Sequence, residues 1–99
     1  MKITINAVHF KTDKKLEAFI KDKLTRLGSL YEGILLGEVS LKVENTDKPE
    51  NKVTDIKLTV PGNEFYAKKQ CGTFEEATDM ALDALKKQLI KYKEKIRRK

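Results

Sequence analysis

Four segments of the chain alternate between apolar and polar residues, the period of a strand with one face against a core. The apolar positions of the first three are Ile3, Ile5 and Ala7; Val39, Leu41 and Val43; and Ile56, Leu58 and Val60. The first strand is predicted over residues 2–8, and the fourth over residues 64–70. A tight turn at Pro61–Asn63 joins the last two strands in a hairpin. Residues 45–52, which include Pro49, are predicted to form a loop.

Two other segments repeat their apolar residues at helical spacing. In the first segment these residues are Leu16, Phe19, Ile20, Leu24 and Leu27. Gly28 follows as a typical C-terminal cap. The second segment begins at Thr73–Glu76, a capping-box pattern in which a hydroxyl and a carboxylate satisfy backbone N–H groups. Its apolar residues are Phe74, Ala77, Ala81, Leu85, Leu89, Tyr92 and Ile96. The spacing predicts a short first helix and a second helix that runs nearly to the C-terminus.

The predicted order of elements is β-α-β-β-β-α. Strands with polar residues at alternate positions have one face in water, and two helices suffice to cover the other face. The predicted fold class is therefore α+β, a two-layer sandwich in which both helices pack on one face of a mainly antiparallel four-stranded sheet. A chain of 99 residues allows one domain, so residues 1–99 are expected to form a single unit.

Basic residues are concentrated in two parts of the chain. The formal net charge is +6, but residues 86–99 carry +7 and residues 1–28 carry +4, whereas residues 29–85 carry −5. On a helical wheel, one flank of the second helix holds Lys87, Lys91, Lys95 and Arg98, and the other holds Lys86, Lys93 and Arg97. The first helix adds Lys23 and Arg26. If the helices pack side by side, these flanks would border one concave positive surface, which favours a polyanionic partner.

Residues that could carry catalysis are few and isolated. His9 is the only histidine, so it has no partner for a metal site. Cys71 is the only cysteine, and it has no adjacent histidine and no catalytic motif around it. A structural or solvated role is expected for His9, and a small buried apolar role for Cys71. The sequence predicts no enzyme, no cofactor and no metal site. A lone cysteine and the lack of an apolar run of about 20 residues predict a cytoplasmic protein without a membrane segment.

The strands narrow the choice of polyanion. A domain that stacks RNA bases on its sheet needs an aromatic-rich central strand, whereas the strands here offer only Phe65 and Tyr66. Lysines and arginines on helices suit structured RNA, whose phosphates they contact by charge. One alternative is a regulatory or scaffolding module that binds an acidic protein surface. Another is an enzyme that acts through Cys71 or His9, which has no motif in its favour.

Several segments resemble the short ribosome hibernation-promoting factors and ribosome-associated translation inhibitors of bacteria. The resemblance rests on the element order and on residues 16–27, 39–44 and 85–95. It implies a protein that binds the small ribosomal subunit and its rRNA, within the 70S ribosome, in the channel where messenger and transfer RNA sit. Such a protein silences translation when growth stops and stores inactive ribosomes, by occlusion and without a membrane or a cofactor.

The resemblance also implies which residues contact RNA. It places the basic positions of the family on Lys23, Arg26, Lys87 and Lys91, and charge geometry extends the predicted RNA-binding set to Lys86, Lys93, Lys95 and Arg98. The chain departs from the family pattern at Ala84, often a lysine, and at Thr73–Glu75, often an acidic-Met-Tyr stretch. It shows neither the C-terminal dimerisation domain of long members nor the acidic tail of the translation inhibitors. The short hibernation-promoting subtype fits best, and we expect a monomer off the ribosome.

Overall fold

The computed structural model describes residues 1–31 and 33–97, with side-chain surroundings as far as residue 95. The elements along the chain are β1 (Lys2–Ala7), α1 (Lys14–Gly28), β2 (Leu36–Val43), β3 (Lys52–Val60), β4 (Asn63–Cys71) and α2 (Phe74–Arg97). Their order is the one that the apolar periodicities predict. The α+β fold class is confirmed.

The four strands form one sheet in the order β1-β2-β3-β4. β2 pairs with β3, and β3 with β4, in antiparallel fashion, whereas β1 and β2 run parallel. The parallel pair arises because α1 lies between these two strands in the sequence, and a helical crossover brings the chain back to the end of the sheet from which it started. The prediction of a mainly antiparallel sheet is therefore confirmed, and the one parallel pair makes the sheet mixed.

Side-chain caps fix where both helices begin. The backbone N–H of Leu16 donates to Asp13 Oδ1 at 2.7 Å, and that of Glu76 donates to Thr73 Oγ1 at 3.1 Å. Each bond satisfies one of the backbone donors that the first turn of a helix leaves without an intrahelical partner. The hydroxyl half of the predicted capping box is thus present at the start of α2.

Both helices pack on one face of the sheet and enclose a contiguous core. Its fully buried side chains include Ile20, Leu24, Leu41, Ile56, Leu58, Leu85 and Leu89. They come from the helical stripes and from alternate positions of β2 and β3, as the sequence pattern predicts. On the opposite face of the sheet Tyr66 is 56% exposed, so this open sheet face meets solvent.

Two strands begin earlier than the apolar pattern indicates. β2 starts at Leu36, ahead of the first predicted apolar position, and β3 starts at Lys52, inside the predicted loop. Gly37 hides the start of β2 because it is buried without adding an apolar side chain. A Cβ at this position would lie 3.0 Å from the Sδ atom of Met1, so a larger residue would require the flexible Met1 side chain to shift. Lys52 joins β3 because the partner strand extends to Cys71, with which it pairs.

Aromatic contacts and one hydrogen bond hold the later turns of α2. The ring of Tyr92 packs edge-on against Phe65 of β4, with centroids 5.2 Å apart, and against Tyr31 at 5.8 Å. Lys93 Nζ donates to the backbone oxygen of Leu30 at 2.8 Å. These contacts tie α2 both to β4 and to the α1–β2 connection, and they set the direction in which its basic end leaves the sheet.

Truncation of Leu85 tests whether the α2 stripe supports the fold. Leu85 is fully buried, so Leu85→Ala should lower the free energy of unfolding by about 2–5 kcal/mol, since it removes buried methyl groups and leaves a cavity. Urea denaturation followed by circular dichroism measures the change. Leu35→Ala is the matched control because Leu35 is 58% exposed, and it should change stability by less than about 1 kcal/mol. Equal losses in the two variants would contradict this packing.

Candidate nucleic-acid interface

The predicted RNA-binding residues that the structure describes all lie in the helix layer. Lys23 and Arg26 belong to α1, and α2 carries Lys86, Lys87, Lys91, Lys93 and Lys95. Arg98 lies outside the described residues. The open sheet face holds none of these residues, so the fold places the predicted cations on one side of the molecule.

A first depression lies between the two helices. It is lined by Lys23, Arg26, Leu27, Leu30, Asp79, Leu82, Asp83 and Lys86. Two of its cations are already paired: Lys23 Nζ lies 3.5 Å from Asp79 Oδ1, and Arg26 Nε lies 3.2 Å from Asp22 Oδ2. The ammonium of Lys23 also sits 5.4 Å from the centre of the Phe19 ring. The depression therefore has mixed charge above a partly apolar floor.

A second depression lies on the other side of α2, against β4. It is lined by Lys69, Asp79, Met80, Asp83, Ala84 and Lys87, and Lys87 Nζ lies 3.3 Å from Asp83 Oδ2. Lys69 is a candidate that the sequence analysis missed. The signal was available, because Phe65, Ala67 and Cys71 are buried on the helix side of β4 and Lys69 shares their alternation.

The predicted concave positive surface is divided in the structure, because the cations line two separate depressions. The exposed ridge of α2 separates Lys86, on the α1 side, from Lys87, on the β4 side. Asp79 and Asp83 line both depressions, and we refer to this pair as the crest carboxylates. The helix layer therefore carries two cation sets with the crest carboxylates between them. One set is Lys23, Arg26 and Lys86, and the other is Lys69 and Lys87. The net charges of the chain segments do not show this arrangement, because Asp79 and Asp83 are counted in the acidic segment of residues 29–85.

The cations beyond Lys87 have different surroundings. Lys91 and Lys95 are exposed, and neither forms a salt bridge with a side chain in the described part of the chain. Lys93 is partly buried and donates to Leu30, so one of its three N–H donors serves the fold. Positive charge available to a partner is therefore concentrated toward the C-terminal part of α2.

His9 and Cys71 do not form a catalytic arrangement within the described residues. His9 is exposed at a position with a φ of 63°. Cys71 is buried, and its thiol donates to the Met80 sulfur at 3.3 Å. Burial raises the pKa of the Cys71 thiol, and the carboxylates of Glu76 and Glu50 raise it further. A raised pKa disfavours the nucleophilic thiolate, so the buried apolar role predicted for Cys71 is confirmed.

Neither a metal cluster nor a membrane span is found in the described part of the chain. Across residues 1–31 and 33–97, no three His, Cys, Asp or Glu side chains are placed so that they could hold a metal ion. The helices in the same residues are not long and apolar enough to cross a membrane.

Comparison with known sequences identifies similar proteins. The family model described as Sigma 54 modulation protein / S30EA ribosomal protein matches residues 3–97. The ribosome hibernation promoting factor of Pseudomonas putida is 33% identical over 95 residues, which cover 96% of this chain and 89% of that protein. The factor of the same name from Salmonella typhimurium is 28% identical over 97 residues, which cover 98% of both chains. The resemblance seen in the residues is confirmed.

Solved structures share the fold. A ribosomal subunit interface protein from Coxiella burnetii superposes with a TM-score of 0.83 at 20% identity, over 94% of this chain and 98% of that one. The crystal structure of the N-terminal domain of Thermus thermophilus Protein Y gives a TM-score of 0.80 at 20% identity, over 93% and 99% of the two chains. At this identity the likeness concerns the fold alone.

The reactivity of Cys71 tests its buried position. Because burial raises the pKa of its thiol, alkylation by iodoacetamide at pH 8 should be at least about ten-fold slower in the folded protein than in urea. The protonated thiol is also the form that the fold favours, so the contribution of Cys71 to stability should fall as the pH rises through its raised pKa. Mass spectrometry of timed samples measures alkylation. Equal rates in the folded and unfolded chains would contradict a buried thiol.

Proposed function

The chain belongs to the Sigma 54 modulation protein / S30EA ribosomal protein family, and we propose that it is a ribosome hibernation factor. It binds the small ribosomal subunit in the channel that messenger and transfer RNA occupy, and its helix layer contacts the rRNA. Occupation of the channel blocks translation and promotes storage of inactive ribosomes, singly or as dimers, in stationary phase or stress. The observation that carries this proposal is the placement of Lys23, Arg26 and the α2 cations on one layer.

The charge of α2 supports a polyanionic partner. Its residues 86–95 contain five lysines and one carboxylate, that of Glu94. Lys87, Lys91 and Lys95 follow one another at i, i+4 spacing, where like charges repel and destabilise a helix. A helix with a purely structural role gains nothing from this repulsion. RNA phosphates would relieve the repulsion between the lysines. Their contact with the lysines would also release counterions from the RNA.

One part of the open sheet face supports the same orientation, because its charged side chains are paired with one another. Lys57 Nζ lies 3.7 Å from Glu38 Oε2 and 3.4 Å from Glu64 Oε2. The Tyr66 hydroxyl donates to Asp55 Oδ1 at 2.7 Å, and this hydrogen bond raises the pKa of Tyr66. With its cation paired to two carboxylates, this part of the face offers little attraction to phosphates. The helix layer is therefore the side that meets RNA.

The relatives support a role that does not involve catalysis. Two of them carry the name ribosome hibernation promoting factor. By this proposal the chain acts in the cytoplasm on the small subunit and the 70S ribosome, needs no cofactor, and is a monomer when it is off the ribosome. By the same proposal, residues 1–99 suffice for binding.

Charge reversal on α2 tests the proposal. Lys87 and Lys91 are exposed and lie off the buried stripe, so Lys87→Glu with Lys91→Glu should leave the fold intact. The affinity for purified small subunits should fall at least about ten-fold, because two attractive contacts with phosphate become repulsive. Cosedimentation through a sucrose cushion measures binding.

The matched control is Lys2→Glu with Lys68→Glu. These residues are exposed on the open sheet face, and the pair makes the same change in net charge. It should keep most of the affinity. Equal losses in both double variants would show a response to net charge alone and would contradict a helix-layer interface. An acidic protein partner would instead be indicated if purified rRNA shows no saturable binding.

A further inference from the structure

The crest carboxylates occupy a position that phosphate binding alone does not explain. The side chains of Asp79 and Asp83 are 53% and 64% exposed, and both line each of the two depressions. Lys23, Arg26 and Lys86 lie on one side of them, and Lys69 and Lys87 on the other. A phosphate backbone that crossed α2 from one cation set to the other would pass directly over two negative charges.

The ion pairs made by these carboxylates give a weak structural reason for their presence. Lys23–Asp79 at 3.5 Å and Lys87–Asp83 at 3.3 Å are exposed pairs, and solvent screening leaves such pairs little effect on stability. They also act on a bound polyanion, because a phosphate in contact with Lys23 or Lys87 lies close to the paired carboxylate as well. The crest carboxylates therefore weaken binding to any ligand that offers phosphates alone.

An ionised carboxylate only accepts hydrogen bonds, so a ligand that turns donors toward the crest would compensate this repulsion. The minor groove of an A-form RNA helix has this composition. It is wide and shallow, displays 2′-hydroxyls and base edges, and is bordered by the phosphates of two strands. The guanine amino group is a further donor in the minor groove. Two cation sets on either side of an acidic crest complement phosphate, donor and phosphate in the same order.

We infer that Asp79 and Asp83 are specificity determinants that direct α2 to the donor-lined minor groove of structured RNA and disfavour polyanions that present phosphates alone. The inference rests on the proposed function and adds a discriminating element to it. The two cation sets supply attraction to phosphate, which is common to all nucleic acids. The crest carboxylates supply the difference between a matched RNA surface and other polyanions.

The test compares the double variant that carries both Asp79→Asn and Asp83→Asn with the unmodified protein, and it uses two probes. Long-chain inorganic polyphosphate presents phosphates without donors, and purified small ribosomal subunits present structured RNA. Affinity for polyphosphate should rise about ten-fold in the double variant, because two repulsive charges are removed. Affinity for small subunits should rise less than about two-fold or fall, since the charge-assisted hydrogen bonds from RNA donors are weakened.

The matched control is Asp47→Asn with Glu50→Gln, two exposed positions in the β2–β3 loop with the same change in net charge. Should this control strengthen polyphosphate binding as much as the crest variant does, the inference is wrong. It is equally wrong if the crest variant gains the same factor on both probes. Should the double variant fail to fold, Asp83→Asn alone should still gain about three-fold on polyphosphate and less on small subunits.

Binding of the unmodified protein to small subunits tests the proposed function separately. Saturable binding of this protein to small subunits is required by the proposed function, and its absence would overturn that function. The polyphosphate measurements report on the crest carboxylates in either case, so the two failures are distinguishable.

Discussion

The burial of the apolar stripe of α2 against the sheet determines how the helix layer is arranged. Ala77, Ala81, Leu85 and Leu89 are all buried, and the two alanines let the helix approach the strands closely. This contact fixes the rotation of α2 about its axis. Successive residues are about 100° apart on a helix, so the same rotation sends Lys86 toward α1 and Lys87 toward β4. A rotation by one residue would bury a cation, which is strongly unfavourable without a partner.

The electrostatics of the helix layer follow from this setting and vary along α2. Near its start, carboxylates of α2 pair with Lys23 and Lys87, at separations of 3.5 and 3.3 Å. Farther along, Lys91 and Lys95 are exposed and the only nearby acidic residue of the helix is Glu94. Long-range attraction of a polyanion is expected from the later turns, whereas discrimination among polyanions is expected from the earlier ones. One helix is therefore expected to make two separate contributions to binding.

Much of the fold could be predicted from the sequence, because the periodicity and capping residues of each segment agree with its packing in the structure. The stripe through Leu85, the cap at Thr73 and the alternation through Ile56 and Leu58 each indicate an element that the structure contains. The start of β2 was missed because Gly37 is buried without contributing an apolar side chain. Periodicity therefore predicts an element where the buried residues have apolar side chains, and it misses the start of a strand where the buried residue is glycine.

The candidate site was less predictable, because its arrangement depends on contacts between elements. Helical periodicity places Lys86 and Lys87 on different flanks, but it does not reveal that Asp79 of α2 lies 3.5 Å from Lys23 of α1. That contact depends on how the helices pack. The net charge of residues 29–85 also does not indicate that Asp79 and Asp83 lie beside the helix cations, because it counts them together with acidic residues from other parts of the fold. Lys69 was predictable from the sequence, because its alternation with Phe65 and Cys71 indicated the helix side of β4.

We propose that the helix layer, and not the open sheet face, contacts rRNA in the messenger and transfer RNA channel. An electron cryomicroscopy reconstruction of the protein bound to small ribosomal subunits would show which face contacts the RNA. The expected map shows the protein in the channel, with RNA phosphates beside Lys86 on one side of α2 and beside Lys87 on the other, and with Tyr66 facing away from the RNA. Density for the protein outside the channel, or with Tyr66 and the open sheet face against the RNA, would contradict it.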